Sequence, residues 1–394
     1  MKERIKMNKI RKFFVYWLLT AAVALLVSCG GGGSSVDGQG TLSTSLTDSS
    51  SEEYQAVYVT IDRVDVHLAD SNSWKTVATP GKTYNLLALV NGVIESLGDV
   101  LLDSGHYTQM RLIIGETADS SLNIFDEQHG FANYIIDQSD VAHELKVPSG
   151  FQTGLKIVNG FDINDNQTTE LILDFDALRS VIKAGSSGKY LLKPTIKVLT
   201  TADYAIVDGI VTAVDSDPLL PLDQVFVTAQ TVAPEEIDIK DQVKLQSGTL
   251  TTEIGEYALF LEPGDYNLVS IRSGYLPVCK AASLGADSMS TVDFSLPLLE
   301  GAALSGTISG LVSISGANDD QHVTIEFRQR MDCSGNSEAV IVKTVEIANG
   351  GQYTVSLAPG TGYQVVATTY EEEAFTEEEI VITSGETAEL DISF

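Results

Sequence analysis

The feature that most constrains the fold is the alternation of apolar and polar residues along the chain after residue 40. In YQAVYVTIDRVDVHL, residues 54–68, apolar side chains recur at every second position and the phase changes once, near Asp62. A period of two places one set of side chains on one face of a strand, and a single change of phase indicates a bulge. Gly, Asn, Asp and Ser turns separate further segments of this kind. The pattern predicts an all-β protein of three tandem antiparallel β-sandwich domains.

Helical periodicity is confined to short segments of the chain after residue 40. DALRSVIK, residues 176–183, favours a short helix, and YNLLALVNGV, residues 84–93, is compatible with a helix or a strand. DINDN, residues 162–166, has the start of a calcium loop, but Gln167 stands where that loop needs glycine. We therefore expect a hairpin turn there.

Two stretches in the C-terminal half share one pattern. GEYALFLEPGDYNLVSI begins at Gly255, and GQYTVSLAPGTGYQVVA begins at Gly351. Each follows a strand that opens with Gly-x-[Ile/Val], and 57 residues separate the opening glycine from the second tyrosine in both copies (209 to 266 and 306 to 363). Equal spacing indicates an internal duplication. The predicted domains are 39–200, 204–299 and 300–394.

Three tyrosines follow tight turns and precede an alternating strand: Tyr107, Tyr266 and Tyr363. A tyrosine in this place can pack its ring in the core while its hydroxyl donates a hydrogen bond back across the turn. We expect each to form such a tyrosine corner.

The N-terminal residues have the layout of a secretory signal. Residues 1–12 contain six Lys or Arg and one Glu, and residues 13–27 carry no charge. Fifteen apolar residues are few for a membrane-spanning helix, which needs about 20. A second start at Met7 would preserve the same layout. We expect residues 1–28 to be removed as a signal peptide.

Leu26-Val27-Ser28-Cys29 resembles the bacterial lipobox, in which a small residue precedes an accessible cysteine thiol. The alternative is a cysteine in an ordinary signal peptide or membrane helix. The resemblance implies that Cys29 is lipidated and anchors the chain to a membrane, and GGGGSSVDGQG after it is typical of a flexible tether, predicted over 29–38. Gly30 stands where sorting in some Gram-negative bacteria uses Asp, which favours the outer membrane.

The chain is strongly acidic. It carries 24 Lys or Arg against 54 Asp or Glu, a net charge of −30. Such a field argues against nucleic acid and bare anionic lipid as partners. It suits a basic or cationic partner, or it serves only solubility outside the cytoplasm.

Cys279 and Cys333 remain if Cys29 is lipidated. A disulfide between them is one expectation, and two separate buried thiols are the favoured one, because the sequence fixes no distance between them. The five histidines have no ligand spacing and are expected to be polar residues that face solvent. No metal site, cofactor or catalytic residue is predicted.

Two family resemblances follow. Residues 39–200 resemble the bacterial domain of unknown function numbered four-three-eight-two, through GTLSTSLTD, YVTIDRVDVH, YNLLALVNG, GHYTQMRLII, LKVPSGFQTGLKI, LDFDALRSV and YLLKPTIKV. The two repeats are similar to carboxypeptidase regulatory-like domains, which are prealbumin-like sandwiches. The second repeat departs from that pattern, with TTYEEEAF where the first has SGYLPV. Neither resemblance implies a catalytic activity.

The function predicted from these observations is non-catalytic: a cell-envelope display, spacer or protein-binding module. The alternative is a carbohydrate-binding module, for which Tyr275 and Tyr370 are the candidate aromatic platforms. An envelope enzyme with a dispersed site is a third interpretation.

Overall fold

The computed structural model describes residues 38–49, 54–69, 73–147, 154–157, 160–184, 189–200, 204–214, 219–299, 305–316, 321–335, 337–369 and 374–394. Gly38–Phe394 form one compact unit. The fold is all-β, as predicted. Cys29, the tether up to residue 37, and Tyr370 lie outside the described residues. Within them, no helix is long and apolar enough to cross a membrane.

The first sandwich contains a four-stranded sheet of order β14-β11-β1-β5 packed on a larger sheet of order β10-β6-β2-β7-β8-β13-β12, with β3 and β4 beside β2 and β9 beside β6. Its elements are β1 (Gln39–Ser49), β2 (Tyr54–Leu68), β3 (Trp74–Ala78), β4 (Lys82–Asn85), the 3₁₀ turn η1 (Leu86–Ala88), β5 (Glu95–Asp103), β6 (Gly105–Ile114), β7 (Tyr134–Asp137), β8 (Ala142–Lys146), β9 (Leu155–Ile157), β10 (Phe161–Ile163), β11 (Thr168–Asp176), the helix α1 (Ala177–Ser180), β12 (Val181–Ala184), β13 (Lys189–Leu192) and β14 (Ile196–Thr200).

Strand β2 organises the larger sheet, and its alternating apolar side chains enter the core. The predicted bulge is confirmed, since the register of β2 against β6 shifts between Ile61 and Arg63. The predicted short helix is confirmed only as the single turn α1, after which the chain continues as β12.

The expected hairpin at residues 162–166 is wrong. Strand β10 pairs with β6 in one sheet, whereas β11 pairs with β1 and β14 in the other. The turn therefore carries the chain between the two layers of the sandwich, which local turn residues do not distinguish from a hairpin.

The second and third sandwiches have the same strand order, with β18-β15-β21 facing β17-β16-β19-β20 in one, and β26-β23-β29 facing β25-β24-β27-β28 in the other. The elements of the second are β15 (Ala205–Ala213), β16 (Phe226–Val232), the 3₁₀ turn η2 (Ile239–Asp241), β17 (Val243–Leu250), β18 (Glu256–Leu261), β19 (Gly264–Ile271), β20 (Val278–Leu284), β21 (Met289–Thr291) and β22 (Phe294–Leu296). The elements of the third are β23 (Gly306–Ser313), β24 (His322–Asp332), β25 (Ser337–Ala348), β26 (Gln352–Leu357), β27 (Gly360–Thr369), β28 (Ala374–Ile382), β29 (Thr387–Glu389) and β30 (Ile392–Ser393).

Not every strand pair is antiparallel. Strand β1 runs parallel to β11, and in each repeat the two short closing strands run parallel to the opening strand, β15 or β23. The last two strands of each repeat therefore pair with its first strand and complete that sheet.

The structure corrects which glycines occupy equivalent positions in the two repeats. Gly209 lies opposite Tyr257, and the residue in that place in the third sandwich is Gly310, opposite Tyr353. A Cβ atom on Gly209 would lie 2.1 Å from the Val292 carbonyl oxygen, and one on Gly310 would lie 1.8 Å from that of Leu390, so both sites require glycine. The spacing to the second tyrosine is then 57 residues (209 to 266) in one copy and 53 (310 to 363) in the other. The equal spacing is a coincidence.

Candidate functional site

All three predicted tyrosine corners are present. The hydroxyls of Tyr107, Tyr266 and Tyr363 donate to the carbonyls of Asp103, Glu262 and Ala358 at 3.0, 2.8 and 2.7 Å. Burial raises the pKa of the Tyr363 hydroxyl, which keeps it protonated as a donor. These residues are therefore structural.

Cys279 in β20 and Cys333, which follows β24, are joined by a disulfide, with Cα atoms 4.7 Å apart. Beside it, the Ala281 N–H donates to the Cys333 carbonyl at 3.0 Å. The structure contradicts the favoured expectation of two separate thiols. The contact depends on how the second and third sandwiches pack, which residue spacing does not encode.

Gln230 forms a second link across this junction. Its side chain is fully buried on β16. The amide nitrogen donates to the Ile341 carbonyl at 2.7 Å, and the amide oxygen accepts from the Ile341 N–H at 2.7 Å. A side chain thereby satisfies both main-chain groups of a residue in another domain, which buried groups require.

Arg328 forms a third link and is also fully buried. Its guanidinium donates to Glu326 at 2.6 Å and to the Ile239 and Lys240 carbonyls of η2 at 2.6 and 3.2 Å. Burial raises the pKa of the Glu326 carboxyl, and the charge of Arg328 opposes that rise. Removing either partner would leave a buried charge without compensation.

The first sandwich is joined to the second through polar contacts. The Asn91 N–H donates to the Thr249 hydroxyl at 3.0 Å, and that hydroxyl donates to the Asn91 side-chain oxygen at 3.0 Å. Asn91 has a φ of 57°, a left-handed conformation that asparagine tolerates better than most residues. Arg179 and Lys197 donate to the main-chain carbonyls of Leu245 and Gln246 on β17.

Tyr275 lines a cleft of about 600 Å³ that residues of all three sandwiches enclose. Its half-buried ring lies 5.5 Å from the Arg272 guanidinium, which also pairs with Asp223 at 2.8 Å. The guanidinium therefore covers part of the ring that was expected to be an open platform. Tyr370, the other candidate platform, lies outside the described residues.

His129 was expected to face solvent, and the structure corrects this. Its side chain is 1% exposed. Nδ1 lies 2.8 Å from the Tyr134 hydroxyl and Nε2 lies 3.0 Å from the Ser121 hydroxyl, which donates to Asp119 at 2.5 Å. Burial lowers the pKa of His129, and the Asp119 charge opposes this shift. The spacing of these residues in the sequence does not indicate the cluster, because the fold of a long loop brings them together.

Among the described residues, no group of three or more His, Cys, Asp or Glu side chains is placed to hold a metal ion. Asp162 lies 2.8 Å from His106. Glu377, Glu378 and Glu379 are exposed on β28, which is an edge strand. Exposed charge on an edge strand discourages pairing with another chain.

The fold and these junctions define a chain of fused β-sandwich domains. Residues 39–194 match the family model of DUF4382, a domain of unknown function, which confirms the resemblance seen in the first segment. No curated protein matches the sequence.

Solved structures match the chain at low sequence identity and low TM-score. The Bacillus anthracis TIE protein is 12% identical with a TM-score of 0.21, over 90% of this chain and 50% of that chain, so this chain spans about half its length. The Streptococcal ancillary pilin is 12% identical with a TM-score of 0.21, over 90% and 99%. The shaft pilin SpaA from Lactobacillus rhamnosus GG is 10% identical with a TM-score of 0.20, over 48% and 97%. Similarities at this level extend no function to this chain.

Proposed function

We propose that this protein is a lipid-anchored, non-catalytic component of the bacterial cell envelope, in which three joined sandwiches form a stiff display or protein-binding module. The observation that carries the proposal is the set of buried links across the second junction: the Cys279–Cys333 disulfide, Gln230 with Ile341, and Arg328 with η2. A spacer or display module needs domains that keep a fixed arrangement, and buried polar links with one satisfied geometry favour such an arrangement.

The anchor rests on the lipobox-like Leu26-Val27-Ser28-Cys29 behind a basic and an apolar segment. Lipid chains add about 0.8 kcal/mol of membrane affinity per buried methylene, and two or more chains hold a protein stably. Cys29→Ala should therefore abolish acylation and release the protein from membranes. Retention of this variant in the membrane fraction at the wild-type level after a high-salt wash would refute the anchor. Separation of inner and outer membranes tests the proposed outer-membrane location.

The resemblance of residues 204–299 and 300–394 to carboxypeptidase regulatory-like domains is part of this proposal. Its support is the shared strand order and the matched pairs of Gly209 with Tyr257 and Gly310 with Tyr353. The Tyr257 and Tyr353 hydroxyls both donate at 2.6 Å to the carbonyl that their glycine approaches. In such a role these domains position a partner and perform no chemistry.

The acidic balance of the chain supports a basic or cationic protein partner. Attraction between exposed charges speeds association and weakens with salt. A pull-down from native envelope, run at low and high salt with the Cys29→Ala protein, should recover a basic partner whose yield falls at high salt. Recovery of no partner under either condition would leave only the spacer role.

A carbohydrate-binding module is the second candidate function, because Tyr275 and Arg272 line a cleft of a size suited to a sugar. A glycan array tests it. Tight glycan binding that Tyr275→Ala abolishes would favour this function, and unchanged binding by that variant would place the sugar elsewhere.

A further inference from the structure

A second cavity, of about 440 Å³, lies where all three sandwiches meet. Its base is the polar face of the third sandwich, with Thr324 and Glu326 on β24 and Thr344 and Glu346 on β25. One wall comes from the first sandwich around α1 and β14. The other comes from η2 and β17 of the second. The site exists only when the three domains are assembled.

The cavity concentrates positive charge in an acidic protein. Two carboxylates line it, those of Glu326 and Glu346, and five basic side chains line it: Arg179, Lys193, Lys197, Lys240 and Lys244. These are five of the 24 Lys and Arg residues in a chain of net charge −30.

Acidic side chains that pair with these basic groups offset part of the positive charge. Asp176 lies 3.3 Å from Arg179, and Asp241 lies 3.2 Å from Lys240 and 3.3 Å from Lys244. Glu326 is already held by Arg328 at 2.6 Å.

Lys193 and Lys197 come from the first sandwich. Burial lowers the pKa of Lys193, and the charge of Glu346 on the base of the cavity opposes this shift. The Lys197 ammonium donates to the main-chain and side-chain oxygens of Gln246, the latter at 3.0 Å. Burial lowers the pKa of Lys197, the Arg179 charge adds to this effect, and the charges of Asp174, Asp176 and Glu262 oppose it. A buried ammonium beside a guanidinium gains stability from an anion placed between them.

We propose that this cavity binds a multivalent oxyanion, such as phosphate or sulfate, either free or carried on a sugar. Lysine and arginine donors form strong, charge-assisted hydrogen bonds to such oxygens. The volume is within the range of about 300–1,000 Å³ usual for small-ligand sites. The hydroxyl of Thr344 on the base can donate to a sugar or to the oxyanion, whereas the hydroxyl of Thr324 already donates to Glu346 at 2.5 Å. The inference is independent of the proposed protein partner.

Thermal unfolding of the Cys29→Ala protein, with sodium sulfate or phosphate and with sodium chloride at matched ionic strength, tests the site. An anion that binds only the folded chain raises the unfolding temperature as its concentration increases. We expect sulfate or phosphate to raise it and chloride to have no comparable effect. In the double variant Lys193→Gln/Lys244→Gln, the apparent affinity for sulfate or phosphate should fall about tenfold or more, since two charge-assisted hydrogen bonds are lost.

Lys75→Gln, on an exposed position of β3, is the matched control and should keep the wild-type response. The unfolding temperature without added anion shows that each variant folds. A response equal in the wild type and the double variant, or equal for sulfate and chloride, would overturn the proposal. Glucose 6-sulfate beside glucose distinguishes the two sources: tighter binding of the sulfated sugar than of sulfate indicates a sugar-borne anion, and the reverse order indicates the free ion.

Discussion

At the scale of the residue, three buried hydroxyls close the turns that precede β6, β19 and β27. Each tyrosine fills core volume with its ring and satisfies one main-chain carbonyl with its hydroxyl. The two roles are separable, because replacing Tyr with Phe removes only the second.

Tyr363→Phe should lower the free energy of unfolding by about 0.5–1.5 kcal/mol, since the Ala358 carbonyl loses its donor. Tyr363→Ala should cost about 3–5 kcal/mol, because it also leaves a cavity. Urea unfolding followed by circular dichroism measures both. Tyr275→Phe, whose half-buried ring lies beside Arg272, is the control. Equal stability of Tyr363→Phe and the wild type would contradict the role of the hydroxyl.

Asp65 is a buried carboxylate on β2. Its oxygens accept from Thr76 at 2.7 Å, from Arg63 at 2.9 Å and from Arg111 at 2.8 Å. Burial alone would raise the pKa of Asp65, but these hydrogen bonds outweigh it and hold the pKa below its ordinary value of 3.8. The unfolded chain therefore takes up this proton first as the pH falls. The stability that Asp65 adds is present above the ordinary value and is lost as the pH falls through the lowered one.

Asp65→Asn should lower stability at neutral pH by about 1.5–3 kcal/mol, because the hydrogen bonds lose their charge. It should also flatten the loss of stability below about pH 4. Urea midpoints measured from neutral to acid pH test this. Asp99→Asn, at an exposed position of β5, should leave both quantities close to wild type. A profile for Asp65→Asn as steep as that of the wild type would show that Asp65 is not the titrating group.

At the scale of the element, strand β20 of the second sandwich is fixed against the end of β24 of the third. The disulfide closes a segment with a sequence separation of 54. Such a crosslink restricts the unfolded chain and adds about 2–4 kcal/mol of stability.

Thiol labelling of the unreduced, denatured Cys29→Ala protein should find no free cysteine. Reduction should expose two thiols and lower the unfolding temperature. Cys279→Ser should expose one thiol, and reduction should then cause no further loss of stability. Two free thiols before reduction would exclude the bridge.

At the scale of the whole molecule, the second and third sandwiches share buried links and so should unfold together. We expect one calorimetric transition for this pair, because opening the junction would break the hydrogen bonds of Gln230 with Ile341 and of Arg328 with the carbonyls of η2.

Gln230→Leu removes both hydrogen bonds to Ile341 and should cost about 2–5 kcal/mol. With the disulfide also reduced, the single transition should divide into two. Gln242→Leu, which loses one exposed bond to Glu236, should change stability by less than about 0.5 kcal/mol. A single transition that survives both changes would mean that other contacts couple the domains.

The sequence alone determined the strand class, the bulge in β2 and the tyrosine corners. These depend on neighbours a few residues apart: a period of two puts apolar side chains on one face, and a turn followed by tyrosine places the hydroxyl near the preceding carbonyl. The motifs of the first segment were also specific enough to identify its family match.

Contacts between distant residues were decided by the tertiary structure. The Cys279–Cys333 pair, the buried His129, the correspondence of Gly209 with Gly310 and the cation-lined cavity all bring together residues from different strands or domains. Composition shows that the chain is acidic but cannot show that five of its cations face one another. These five side chains line one cavity because of how the three sandwiches pack. Distances between residues far apart in the sequence are set by which buried faces pack together, and not by spacing along the chain.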